Sequence, residues 1–153
     1  GAALWYLPGG DELYSGKISV AAMDSLRNDP ANTKLVEEHS FPRKIGGRFL
    51  YEKFRESEGN LTTQQLQDIF VRKLGKFNLV LKSENDGLKK YQRIENMDLG
   101  ELSFLEFCET NLEAYTYSQA EIELRDFSLE KYRAFTTYKR RLRSGILDEE
   151  FIL

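Results

Sequence analysis

Cysteine and histidine are almost absent from this chain, and their scarcity excludes several kinds of site. The 153 residues include one cysteine, Cys108, and one histidine, His39. A single cysteine cannot form an internal disulfide, and one residue of each type cannot build a zinc site of cysteine and histidine ligands. A metal ion bound here would need mainly oxygen ligands.

Long hydrophobic runs are missing as well. The hydrophobic runs, such as residues 79–81 and 151–153, are only a few residues long, whereas a membrane-spanning helix needs about 20. Residues 1–10 have no basic start and no long apolar stretch, so they do not resemble a secretory signal. We therefore expect no membrane partner and a cytoplasmic location.

The remaining composition is that of a folded protein. Hydrophobic residues make up 41% of the chain and charged residues 31%, a balance that suits one globular domain. No internal repeat, low-complexity tract or linker divides the sequence. We predict a single domain over residues 1–153.

Charge is distributed very unevenly although the net charge is only -3. Residues 31–93 carry thirteen basic and eight acidic side chains, whereas residues 94–130 carry one and ten. Residues 131–153 are again basic, with six basic and three acidic side chains. The basic segments would suit a phosphate backbone, although ordinary solvated faces also explain such blocks.

Two short segments have the composition of β-strands. Residues 33–39 and 76–82 contain β-forming residues and are bounded by turn-forming residues. Between them, apolar residues at helical spacing and a Thr62-x-x-Gln65 capping box predict two helices within residues 46–75. Strand, two helices and strand therefore follow one another.

The C-terminal half is predicted to be mostly helical. Ser83 is a suitable N-cap for a helix after the second strand, and Ser103-x-x-Glu106 and Ser118-x-x-Glu121 have the capping-box pattern. Apolar residues at helical spacing then predict a helical part over residues 99–145. The overall prediction is an α+β fold, with a small two-stranded ββα core surrounded by mainly helical N- and C-terminal segments.

One constellation in this core carries a functional signal. The first strand ends in Glu38-His39-x-x-Pro42, the second carries Asn78-Leu79, and the helix after it opens with Asn85 and continues to Lys89-Lys90. Over residues 33–93 this order resembles the HNH endonucleases, members of the His-Me finger or ββα-metal superfamily, as a variant with residues 46–75 inserted between the His and Asn motifs.

The resemblance implies a metal-dependent endonuclease acting on DNA, with RNA as a further candidate. It implies that His39 is the general base and that Asn78 orients it. Glu38 and Asn85 would be ligands of one divalent cation, with Mg²⁺ as the first candidate and Mn²⁺ as the second. A neutral imidazole suits the role of base near pH 7, and hard oxygen ligands suit such a cation. The expected phosphate contacts are Arg43, Lys44, Lys82, Lys89 and Lys90.

Other interpretations remain open at this stage. Glu84 or Asp86 could replace Asn85 as the second ligand, or Asn85 could serve only at a polar helix start. The chain could also be an inactive nucleic-acid-binding or protein-interaction module on a nuclease-like scaffold. The acidic segment 94–130 could mimic phosphate and block the site until a partner removes it. A homodimer or a regulatory protein partner is compatible with each of these interpretations.

Overall fold

The computed structural model describes residues 10–146 and 150–153. Its strands are β1 (Tyr14–Ser19), β2 (Leu35–His39), β3 (Phe77–Leu81) and β4 (Leu124–Asp126). Its α-helices are α1 (Gly10–Leu13), α2 (Val20–Asn28), α3 (Arg43–Glu56), α4 (Thr63–Ile69), α5 (Lys82–Leu88), α6 (Phe104–Thr110), α7 (Leu112–Gln119) and α8 (Leu129–Arg143). The fold is therefore α+β, as predicted.

The four strands form one mixed sheet in the order β2-β3-β1-β4. The central strands β1 and β3 are parallel, while β2 and β4 pair antiparallel with β3 and β1. The predicted two-stranded sheet is thus too small. The sequence pattern does not predict β1, because its residues do not alternate regularly between inward and outward positions. Gly16, at φ 80°, lies where the pairing of β1 with β3 shifts register.

The remaining elements confirm some predicted boundaries and correct others. Both predicted strands are present, and α3, α4 and a π-helical turn (Phe70–Leu74) connect them. The predicted helical part 99–145 is wrong at β4, since that strand has only three residues and therefore little periodic signal. After β3, α5 packs against both β2 and β3.

Side-chain caps explain where several helices begin. The hydroxyls of Ser19, Thr62 and Ser103 accept hydrogen bonds from backbone N–H groups at the starts of α2, α4 and α6. Two predicted caps are wrong. Ser83 lies inside α5, where Glu84 accepts from the Leu81 N–H instead, and Ser118 lies inside α7.

Buried side chains of the strands and of several helices form one hydrophobic core. Ile18 and Leu79, which are fully buried, pair across β1 and β3, and Ala22, Leu26 and Phe135 bring α2 and α8 into the same cluster. Among the residues described, no helix is long and apolar enough to cross a membrane.

Candidate functional site

The register of β2 and β3 determines which predicted site residues lie together. Glu38 pairs with Asn78, and His39 pairs with Phe77. Because successive strand residues point to opposite faces, Glu38 and Asn78 share one face while His39 lies on the other. The predicted orientation of His39 by the Asn78 side chain is therefore wrong in this arrangement. His39 instead contacts the Phe77 ring edge to face, with ring centroids 6.3 Å apart.

Glu38 and Asn78 belong to a buried hydrogen-bond network centred on Tyr117 of α7. The Tyr117 hydroxyl donates to Glu38 Oε2 and accepts from Asn78 Nδ2 at 2.9 Å. Gln92 donates to Glu38 Oε1 at 2.7 Å, and Ser15 donates to Asn78 Oδ1 at 2.6 Å. The network thus connects β1, β2 and β3 with α7 and with the segment after α5.

Burial changes the acidity of this network. Glu38 is 4% exposed, and burial raises its pKa from 4.5 to about 7, a rise to which the nearby Glu113 charge adds and which hydrogen bonds from Tyr117 and Gln92 oppose. Burial and the Glu38 carboxylate also raise the pKa of Tyr117 well above its usual range. The network therefore holds a carboxyl group that takes up a proton near neutral pH.

Ser15, Asn78 and Tyr117 form part of the wall of an open cleft of about 820 Å³. Glu113 also lines this cleft and accepts a long hydrogen bond, 3.4 Å, from Asn78 Nδ2. Several cationic side chains line the cleft too: Lys17, Arg72, Lys73 and Lys76. The cleft is thus polar and contains groups of both charges.

His39 lies in a different setting, between the end of β2 and the start of α3. Its side chain is half-buried. Burial, followed by the charge of Arg43, lowers its pKa, while backbone groups of Gly75 and Lys76 and the charge of Glu37 act in the opposite direction. The imidazole is therefore predominantly uncharged at neutral pH.

The N-terminus of α3 has an unusual composition. Pro42 is its N-cap and supplies no side-chain hydrogen bond, and the first turn contains no acidic residue. Arg43 and Lys44, both exposed, are its first two residues. Cations oppose the positive end of a helix dipole, whereas an anion there would be stabilised by the dipole and by the first-turn N–H groups.

The other predicted phosphate contacts belong to α5 and the turn after it. Lys82 and Lys89 both pair with Asp86, at 3.1 and 3.4 Å. Lys90 lies over the Tyr91 ring, 4.9 Å from its centroid. These three lysines therefore have neighbours of their own, on α5 and in the turn after it.

The predicted metal ligands do not fit one site beside His39. Both carboxylate oxygens of Glu38 accept hydrogen bonds from uncharged donors, and Glu38 and His39 lie on opposite faces of the sheet. Gln92, rather than Asn85, is the partner of Glu38 from the segment after β3. Within the described part of the chain, no three His, Cys, Asp or Glu side chains group closely enough to hold a metal ion.

The alternative ligands on α5 have other partners. Glu84 Oε1 accepts from Ser19 Oγ at 2.5 Å and from the Leu81 N–H at 3.0 Å. The two lysines around Asp86 lower the pKa of its carboxyl group. Glu84 thus joins the ends of β1 and β3 to the start of α5, and Asp86 is an exposed ion-pair partner.

Sequence reasoning missed Tyr117, Gln92 and Ser15. Tyr117 follows Glu38 by 79 residues, and no sequence pattern singles it out. No local motif relates these residues to β2 and β3. The only signal was the presence of Asn78 in a short, otherwise apolar strand, since buried polar groups need hydrogen-bond partners.

Comparisons of the chain with protein-family models, curated proteins and solved structures gave no match.

Proposed function

We propose that this chain is an endonuclease that hydrolyses phosphodiester bonds, with DNA as its first candidate substrate and His39 as general base. The main support is the arrangement at the end of β2. An imidazole with a lowered pKa is followed, after three residues, by a helix without a side-chain cap at its N-terminus, whose first residues are Arg43 and Lys44. Base and anion-binding groups thus occur within residues 39–44.

The chemistry assigned to these residues is simple. Uncharged His39 takes a proton from water as the water oxygen bonds to phosphorus, and the phosphorus–oxygen bond to the leaving sugar oxygen breaks. The leaving oxygen takes its proton from solvent. Arg43, Lys44 and the first-turn N–H groups of α3 stabilise the negative charge on the phosphate oxygens.

Asn78 has a positioning role in this proposal. It holds Tyr117, which in turn binds Glu38, the residue directly before His39. The network thereby fixes the end of β2 from the opposite face of the sheet. The divalent cation implied by the resemblance to HNH nucleases stays a prediction, and the residues around His39 are assigned their roles without it.

A second candidate function is an inactive nucleic-acid-binding module. The observation that favours it is the separation of His39 from Glu38 and Asn78 by the sheet. In this case Arg43 and Lys44 would bind phosphate, and no bond would be broken.

Incubation with supercoiled plasmid distinguishes the two functions. The reactions contain magnesium, manganese or a chelator, and gel shifts on the same plasmid measure binding. Conversion to nicked circles supports the nuclease, and the chelator lane shows whether a divalent cation is required. Salt-sensitive binding without nicking under any condition would favour the inactive module.

A further inference from the structure

Helix α3 presents an exposed face that combines cations with aromatic rings. Its members recur at spacings of three and four, which places them on one side of the helix; they are Lys44, Gly47, Arg48, Tyr51, Phe54 and Arg55. We call this set the outer face of α3. Tyr51 is 60% exposed and Phe54 48%, so two large rings face solvent there.

The helix is held from its opposite side. Ile45 and Phe49 are almost fully buried in the core, and the Phe49 ring packs against that of Phe41, with centroids 5.2 Å apart. The exposure of Tyr51 and Phe54 is therefore a property of an anchored helix. Their burial is not needed to place α3 on the domain.

The charge on the outer face has one sign. Lys44, Arg48 and Arg55 are its charged members, and all three are exposed. The acids of this helix are Glu52 and Glu56, and Glu52 lies 3.8 Å from the Arg55 guanidinium. The Arg48 guanidinium, although exposed, lies 4.2 Å from the centroid of the Phe104 ring. A polyanion would therefore meet three cations on this face, of which Arg48 and Arg55 also contact other side chains.

Tyr51 is the ring best placed for contact with a ligand. Phe54 is partly covered, since its ring lies against the turn at Gly59. The Arg55 guanidinium lies 5.8 Å from the Tyr51 ring centroid, and a Cβ built at Gly47 would meet no atom within 4 Å. The surface at Gly47, one turn before Tyr51, is thus open to a ligand.

We propose that single-stranded nucleic acid binds along the outer face of α3, with a base stacked on Tyr51 and phosphates near Lys44, Arg48 and Arg55. Aromatic rings interspersed with cations suit unpaired bases, whose faces are accessible, better than a duplex, whose bases are stacked on each other. Lys44 and Arg55 are separated by about 16 Å along the helix at 1.5 Å per residue.

The inference rests on the proposed function and makes it more specific. The outer face begins at Lys44, in the turn that follows His39, so a strand bound along it would approach the proposed base. The preferred substrate would then be single-stranded DNA or an unpaired region of a duplex.

Fluorescence anisotropy in a chelator measures binding without cleavage. The probes are a labelled single-stranded oligonucleotide and the duplex of the same sequence, and the variants are Tyr51→Ala, Tyr51→Phe and Lys131→Gln. Lys131 is an exposed cation on α8 and serves as the matched control. We expect Tyr51→Ala to weaken single-strand binding by about 5- to 100-fold, whereas Tyr51→Phe keeps the ring and changes it by less than about twofold.

Three results would overturn the inference. The first is an unchanged affinity of Tyr51→Ala for the single strand, and the second is an equal loss of its affinity for the single strand and for the duplex. The third is displacement of the oligonucleotide by polyglutamate at the same charge concentration, which would indicate an acidic protein partner. Cleavage is measured separately. If single-strand affinity depends on Tyr51 but no nicking occurs, the proposed nuclease function is rejected, whereas the proposed binding to the outer face of α3 is supported.

Discussion

Glu38 and Asn78 lie directly opposite each other across β2 and β3 and share one hydrogen-bond partner, the hydroxyl of Tyr117. Both residues are almost fully buried, with exposures of 4% and 1%. A buried polar group that loses its partner costs about 1–3 kcal/mol. The stability of the β2–β3 pair should therefore depend on a side chain from the distant helix α7.

Substitution of Tyr117 by Phe tests this dependence. The change keeps the ring but removes the hydroxyl that contacts Glu38 and Asn78, so we expect the free energy of unfolding to fall by about 1–3 kcal/mol. Urea denaturation at pH 6 measures it. Tyr115→Phe is the control, because the Tyr115 hydroxyl bonds to no residue that the structure describes. Equal stability of the two variants would show that the network contributes little.

The raised pKa of Glu38 predicts an unusual pH dependence of stability. Folding raises the pKa of this carboxyl group from 4.5 to about 7, so the folded state binds more protons than the unfolded state between these pH values. The contribution is fully present below pH 4.5 and is lost as the pH rises through about 7. Its size is on the order of 3 kcal/mol.

Glu38→Gln separates this contribution from other titrations, since glutamine keeps the shape without titrating. The difference in unfolding free energy, wild type minus variant, should fall between pH 5 and pH 8 in urea titrations. His39 has a lowered pKa and acts in the opposite direction in both proteins, so it cancels in the difference. A difference independent of pH would contradict a buried, titrating Glu38.

Removal of a lysine from the N-terminus of α3 should have a different effect from removal of a lysine next to α5. Lys44→Gln should weaken DNA binding and reduce the slope of log affinity against log salt by about one, because Lys44 lies in the turn proposed to hold phosphate. Lys89→Gln should change both quantities less, since Lys89 already pairs with Asp86. Anisotropy titrations at several salt concentrations compare the two variants. A larger effect at Lys89 would move the nucleic-acid interface to α5.

The sequence predicted the local parts of the fold well. Thr62 and Gln65 form both hydrogen bonds of the predicted capping box, and β2 and β3 begin and end within two residues of the predicted segments. These features depend on neighbouring residues and on short-range periodicity. Local chemistry is therefore sufficient to locate them.

The site was harder to predict because it depends on register and on distant contacts. Adjacent residues such as Glu38 and His39 look like one motif in the sequence, yet a strand turns them to opposite faces. No sequence pattern singles out Tyr117, and only the tertiary fold brings its hydroxyl to Glu38 and Asn78. Strand register determines which residues share a site, and no short motif encodes it here.

Plasmid nicking by His39→Ala, with and without added imidazole, tests the central claim most directly. The reactions use supercoiled plasmid with magnesium or manganese, and thermal melting checks that the variant is folded. If His39 is the general base, nicking should fall by about 100- to 10,000-fold and recover in part when imidazole is added. Nicking at the wild-type rate by the folded variant would contradict the account.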